Sequence, residues 1–390
     1  MQNMREEMKK ELTGHIIPFW KSFRDDVYGG FTGLMDMDLK RDEKAPKGCI
    51  LNSRILWFFS EAAMLLKDDS LIPYADHAYR FMIDHCVDHE FGGVFWSCTY
   101  DGKPLDTTKH TYNQAFAIYA LSAYHALTGK EEPKALAREL MAVIEGRCRD
   151  EGGYLEAYTR DFKPASNEKL SENGVMATRT MNTMLHVFEG YSGLYQYTAD
   201  PEAKSHMEAI IDIFMDKVYN DALRRQEVFF DHEYNTLIDL TSYGHDIETS
   251  WLLDWGCTLL NDEARSARLI PALQKMAQNV YEKAYHGQGL YTECEKGIDL
   301  KSRVWWVQAE TVLGFFNAWQ RTGKPYFLDA AREEWDFIKA YQIDPREGSE
   351  WYSELDEHLI PKRSKEVVEP WKCPYHNGRM CMEIIRRVNA

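Results

Sequence analysis

The sequence predicts an all-α fold, an (α/α)6 barrel of six inner and six outer helices joined by short β-hairpin turns. Three observations predict it. A glycine- and aromatic-rich turn recurs as Tyr28-Gly29-Gly30-Phe31, Phe91-Gly92-Gly93-Val94 and Glu151-Gly152-Gly153-Tyr154. Weaker echoes follow at Glu233–Thr236, Gly287–Leu290 and Gly348–Trp351, and the first three lie about sixty residues apart, the length of one supersecondary unit. Short alternating stretches such as Phe31–Asp38 and Val94–Tyr100 come after the turns and read as hairpin arms rather than long strands. Two helical patterns then complete each unit, one apolar on nearly every side and one with a polar face, as two concentric layers require.

Taken in order, the first helix runs from Met4 to about Trp20 and starts the outer ring. Asn52–Leu66 is apolar all round and belongs inside. Ile72–His85 is amphipathic, with Pro73 placed where a first helical turn tolerates it, and belongs outside. Further inner helices are expected around Tyr112, Asn182, His245, Trp306 and His376, matching the one that carries Arg54. The return of the chain at Met380–Val388 is expected to close the outer ring. No Gly/Pro/Ser-rich linker interrupts the series, so residues 1–390 are expected to form a single catalytic domain.

The 390 residues are 44% hydrophobic, ample for a large core, and carry a net charge of −16. That charge repels phosphate backbones and anionic lipid, which excludes nucleic acid and membrane as expected partners. The eleven tryptophans and twenty-two tyrosines serve packing or carbohydrate stacking, packing being the commoner use. None of the eight cysteines forms a C-x-x-C or takes zinc-finger spacing, so they read as reduced, mostly buried thiols and no metal is expected. Met1–Lys10 is charged and lacks an apolar signal core, which makes a cytoplasmic location the expectation, as a monomer or homodimer.

The candidate chemistry lies at the starts of the inner helices. Gly244–Trp251 places His245, Glu248 and Trp251 three residues apart, on one helix face. As an isolated octapeptide it is equally well a capped helix with a satisfied core histidine. Its companions decide the matter: Arg54, the pair Asn182 and His186, the pair Trp306 and Glu310, and Trp371 with His376 occupy the corresponding early turns. Buried polar groups cost a few kcal/mol, roughly, unless paired, so five such helix starts imply either a bonded network or a ligand. His15 reads as a helix-face residue, and Asp84/His85 and Asp88/His89 as an outer helix end rather than a metal site. The Gly-Gly turns do not open a phosphate-binding helix.

At this point the residues carry a resemblance. His15–Trp20, Asn52–Phe59, Met181–His186, Gly244–Trp251, Trp305–Glu310 and Trp371–His376 together resemble the N-acylglucosamine 2-epimerase superfamily, and within it the cellobiose 2-epimerases. The resemblance implies the same (α/α)6 barrel and a cofactor-independent exchange of configuration at C2 of a reducing-end sugar. The implied substrates are β-1,4-linked disaccharides, cellobiose giving 4-O-β-glucosyl-mannose and lactose giving epilactose, or a related aldose. It further implies His245 and His376 as the acid/base pair, a use that suits imidazole near neutral pH. Glu248 and Glu310 would orient or polarise them, and Arg54 would stabilise the enediolate oxygen. Asn182 and His186 would hold sugar hydroxyls, Trp306, Trp371 and Trp251 would offer faces for pyranose rings, and Tyr100 would close the mouth. The loop around Asp161–Gly174 is expected to shape specificity. Other readings stay open: an N-acylglucosamine 2-epimerase, an aldose–ketose isomerase, a glycoside hydrolase using Glu248 and Glu310, or a non-catalytic sugar-binding barrel.

Overall fold

The computed structural model describes residues 1–389. Six inner helices run α3 (Cys49–Leu66), α5 (Thr111–Thr128), α7 (Met181–Thr198), α9 (Tyr243–Leu260), α11 (Trp305–Thr322) and α13 (His376–Asn389). The outer ring consists of α1 and α2 (Gln2–Glu11 and Ile17–Ser22, joined by a π turn), α4 (Ile72–Phe81), α6 (Glu131–Arg147), α8 (Pro201–Ile213), α10 (Glu263–Lys283) and α12 (Pro325–Phe337). Burial follows the layering: every residue of α3 from Cys49 to Ala63 is buried, whereas α4 buries Ala75, Ala78 and Phe81 on one face. Among the described residues α3 is the one helix long and apolar enough to cross a membrane, and 83% of it is buried within this core. One continuous apolar cluster links both rings, from Met4 and Trp20 to Ile385. Each fully buried large apolar side chain in it contributes about 1.5–3 kcal/mol.

Met380–Val388 corrects one expectation. It lies within α13, an inner helix, and α1 packs against that helix to join the first and last units. The chain therefore closes the inner ring with its end and the outer ring with its beginning.

The barrel is tied at the N-terminal ends of the inner helices by short antiparallel pairs. Lys47–Gly48 pairs with Ser97–Cys98, Lys109–His110 with Ala157–Tyr158, and Arg179–Thr180 with Phe229–Phe230. Leu240–Ser242 pairs with Glu293–Glu295 and Arg303–Val304 with Glu354–Leu355, and the bridge Met35 to Val368 completes the circle. Each strand leading into an inner helix is thus held by the hairpin of the next unit.

The glycine turns connect outer helix to inner helix, and the inner helix grips them. Asn52 Oδ1 accepts the Phe31 N–H at 3.1 Å, and Gln114 Oε1 accepts that of Val94 at 2.6 Å. Asp246 does the same for Gln226 at 3.2 Å and Gln308 for Leu290 at 2.8 Å. All four are the fourth residue of their helix. Gly30 is required by this grip: its φ is +64°, and a Cβ would stand 2.8 Å from Asn52 Oδ1. The fourth turn lies at Asn220–Arg225, not at the expected Glu233–Thr236. That turn has no glycine, since Arg224 itself takes φ 54°, so its signal is absent from the sequence. Glu233–Thr236 instead tips the second hairpin of its unit, equivalent to the one closed by Met35 and Arg41.

Candidate active site

The six helices converge with their first turns at one level. Counting along each helix, the sixth residue is Arg54 in α3, Phe116 in α5, His186 in α7, Glu248 in α9 and Glu310 in α11. The sixth helix, α13, begins at this level with His376 and places Arg379 one turn further in. A helix burying all its faces must still present something to the barrel axis, and here five of the six present ionisable groups, α5 presenting Phe116. Above them lies a cavity of about 520 Å3 whose wall includes Arg54, Tyr112, Asn182, His186, His245, Glu248, Trp306, Trp371 and His376.

Beneath the cavity is a closed ionic cluster centred on Arg379. Its Nη2 donates to Glu248 Oε1 and Glu310 Oε1, both at 2.7 Å, and its Nη1 pairs with Glu189. Glu310 also accepts from Trp251 Nε1 at 2.7 Å and lies 2.7 Å from His376 Nδ1. Glu189 lies 2.7 Å from His186 Nδ1 and accepts the Tyr375 hydroxyl at 2.5 Å. Glu310, Glu248 and Glu189 are all essentially inaccessible to solvent. A charge removed from water is tolerated only when paired and hydrogen-bonded, as each of these is.

The three imidazoles are held by Nδ1. His376 is held by Glu310, His186 by Glu189, and His245 by the Ser242 hydroxyl at 2.7 Å. No Nε2 of the three has a protein partner among the described residues. A carboxylate at Nδ1 fixes the proton there and leaves Nε2 as a bare base. Burial, with a smaller contribution from the nearby His186, pushes His245 down to about 3. Burial, then Arg379 and Arg54, hold His376 well below the ordinary imidazole value. His186 is lowered by burial against the pull of Glu189. Burial and the neighbouring Glu310 carboxylate push Glu248 well above the usual carboxylate range. Burial also raises Glu189, but Arg379 and the His186 hydrogen bond outweigh it and hold Glu189 low. The site therefore offers neutral imidazoles over fixed positive charge.

Arg54 enters from the side. Its Nη2 donates to the Tyr112 hydroxyl at 2.8 Å and its Nη1 to the Trp371 carbonyl at 3.2 Å, while the guanidinium stacks 4.2 Å from Phe116. Trp306 packs against both His245 and His376, 4.7 Å and 5.5 Å away between ring centroids. Trp371 packs edge-on against Tyr112 and Trp96. Lys169, Leu170 and Glu172, from the loop at Asp161–Gly174, reach the outer wall.

Eight of the eleven expected site residues thus line this cavity; Glu310 lies directly below it, in contact with His376, and Tyr100 and Trp251 lie elsewhere. Tyr100 packs edge-on against Tyr28 at 5.0 Å and is not part of the cavity wall. Trp251 lies one turn below Glu248, fully buried, and helps line a second cavity of about 410 Å3 at the opposite end of the barrel. The expected pairing of His245 with Glu248 is also absent: Ser242 holds His245, and Arg379 holds Glu248. Sequence reasoning missed Arg379, Glu189, Tyr375 and Ser242. A signal existed for two of them, because Glu189 follows His186 and Arg379 follows His376 by three residues, repeating the spacing of His245 and Glu248.

Glu248, Glu310 and His376 bring ligand-type atoms within 4.8 Å of one another. They are a poor fit for a metal ion, because the Arg379 guanidinium already donates to both carboxylates and would repel a cation held by them.

Three comparisons with known proteins bear on this geometry. A family model described as N-acylglucosamine 2-epimerase (GlcNAc 2-epimerase) matches residues 29–377. The chain is 51% identical to a cellobiose 2-epimerase of Eubacterium cellulosolvens over 98% of each chain, and 48% identical to one of Ruminococcus albus over 98% of this chain and 99% of the relative. A solved structure of a sugar epimerase from a ruminal bacterium superimposes with a TM-score of 0.97 at 47% identity, covering 98% of this chain and 99% of the other.

Proposed function

This chain belongs to the N-acylglucosamine 2-epimerase family and is a sugar 2-epimerase, and from that premise we propose how its own residues carry the reaction. The substrate is a β-1,4-linked disaccharide such as cellobiose or lactose, and the reducing-end glucose is converted reversibly to mannose. After ring opening, one imidazole takes the proton from C2 and the electron pair moves toward the C1 carbonyl oxygen, giving an enediolate. A proton taken up from solvent on Nε2 of the other imidazole is delivered to C2 on the opposite face, and the first imidazole releases the proton it took to solvent, which resets both as neutral bases. Nothing is oxidised overall, so the chemistry requires only proton transfer and charge stabilisation.

The observation that carries this reading is the pair of neutral imidazoles, His245 and the buried His376, each anchored through Nδ1 and leaving Nε2 toward one cavity. They stand on different helices with Trp306 packed against both, as two bases acting on two faces of one carbon would. Arg54 supplies fixed positive charge beside the enediolate oxygen, and the six helix N-termini at the same end add partial positive charge. Glu310 orients His376, and Glu248 completes the pairing of Arg379. Asn182 and His186 meet sugar hydroxyls, and Trp371 and Trp306 offer ring faces. The outer wall formed by Lys169, Glu172, Glu293 and Glu369 gives a second sugar unit polar partners beyond the reacting one. The single continuous core supports one catalytic domain over residues 1–390.

A hydrolase using Glu248 and Glu310 fits less well. Their oxygens share one guanidinium nitrogen and are sealed from solvent, whereas hydrolytic carboxylates flank the scissile bond with a sugar or a water between them. The test is incubation with cellobiose in D2O, followed by NMR. Deuterium at C2 with a mannose-type reducing end is the expected result. His245→Asn and His376→Asn should each lower the exchange by about 10²–10⁴-fold. Release of free glucose, accumulation of a ketose, or absence of C2 exchange would each overturn the reading.

A further inference from the structure

Three cysteines far apart in the sequence meet in space. Cys49 is the first residue of α3, Cys86 ends the π turn that follows α4, and Cys98 ends the strand paired with Lys47–Gly48. All three are buried, at 1%, 0% and 0% exposure, and their sulfurs lie within 4.8 Å of one another. Nothing in the epimerase site uses them.

The spacing has a chemical meaning. Bonds of about 2.3 Å from a metal to three thiolates in a trigonal plane place the sulfurs about 4.0 Å apart, and tetrahedral angles place them about 3.8 Å apart. Cys49 Sγ and Cys98 Sγ are 4.0 Å apart. Three soft donors with no imidazole or carboxylate in the set select a thiophilic ion over a hard one.

We propose that Cys49, Cys86 and Cys98 form a three-thiolate site for a d10 metal ion of the zinc and cadmium class. On binding, three S–H bonds are broken, three metal–sulfur bonds form, and the three protons leave to solvent, with no change of oxidation state. The ion would clamp the start of α3, five residues before Arg54, to the hairpin strand that begins just after Trp96, whose ring supports Trp371. The site is therefore a structural clasp behind one wall of the sugar cavity.

The test uses the full chain, reduced and stripped with a chelator, titrated with Cd²⁺ and followed by thiolate-to-cadmium charge-transfer absorption. The expected result is saturation at one Cd²⁺ per chain, loss of the band in Cys86→Ser and in Cys98→Ser, and retention in Cys294→Ser, which alters the partly exposed cysteine. ¹¹³Cd NMR of the unaltered protein guards against a variant that fails to fold, and a single resonance of three-sulfur coordination is expected. Absence of the band at saturating Cd²⁺, its survival in Cys98→Ser, a resonance of fewer sulfurs, or formation of a disulfide in place of metal uptake would overturn the proposal.

Discussion

Glu310→Gln tests the arrangement most sharply, because it changes one atom and almost no volume. Glu310 Oε1 receives Arg379 Nη2 and faces His376 Nδ1, and Oε2 receives Trp251 Nε1, all at 2.7 Å. A glutamine has one acceptor oxygen for these three donors. If the oxygen faces His376 and Arg379, the amide N–H groups point at the Trp251 N–H; if it faces Trp251, they point at the other two. Either way a buried charge-assisted bond is lost and a donor is left unmatched, each worth about 1.5–3 kcal/mol. The loss of stability should therefore be about 3–5 kcal/mol, the range for breaking a buried ion pair. The catalytic loss is separate: His376 loses the anion that fixes its proton on Nδ1, so kcat should fall by about 10²–10³-fold with a smaller change in KM. The assays are urea unfolding followed by circular dichroism, and initial rates of cellobiose epimerisation under conditions where the variant remains folded. A folded variant that keeps kcat within about threefold of the parent would refute the orienting role of Glu310.

Two further outcomes follow from the same cluster. Arg379→Met leaves Glu189, Glu248 and Glu310 without their shared cation and should cost about 3–5 kcal/mol in urea unfolding, with partial rescue when Glu248→Gln removes one of the carboxylates; an unchanged midpoint would show that the cluster is not held by this residue. For pH, the sign is set by depressed imidazoles: His245, held to about 3, and His376, held well below 6.5, stay neutral in the folded chain while the unfolded chain takes up protons below about 6.5. Stability is then full above that pH and declines as pH falls toward the folded values, and the acid limb of kcat/KM lies below 6.5; a limb centred at or above 6.5 would contradict it.

Much of this was legible in the sequence because both signals are local. A helix apolar on all sides must lie inside, and one with a polar face must lie outside, so the alternation of Asn52–Leu66 with Ile72–His85 already implies two rings. Polar residues at the start of several such helices imply a common mouth, and Arg54, Asn182, His186, His245, Trp306, Trp371 and His376 do line one. Depth along the axis was not legible. Trp251 shares a helix face with His245, but six residues at 1.5 Å each carry it about 9 Å deeper, past Glu248 and toward the other end of the barrel. Tyr100 sits on the expected hairpin, yet the hairpin turns its ring onto Tyr28.

By itself, then, the sequence determined the layers, the repeat and the end of the barrel at which polar side chains converge, since periodicity and residue type depend on neighbours a few positions away. Tertiary structure alone decided the partners. Arg379 meets carboxylates from α7, α9 and α11, and Cys49 meets Cys86 and Cys98. Such contacts depend on the register between helices that no local pattern encodes. The same holds for His245, which stands three residues from a carboxylate and is held by a serine instead, because the closed ring sets Glu248 against Arg379.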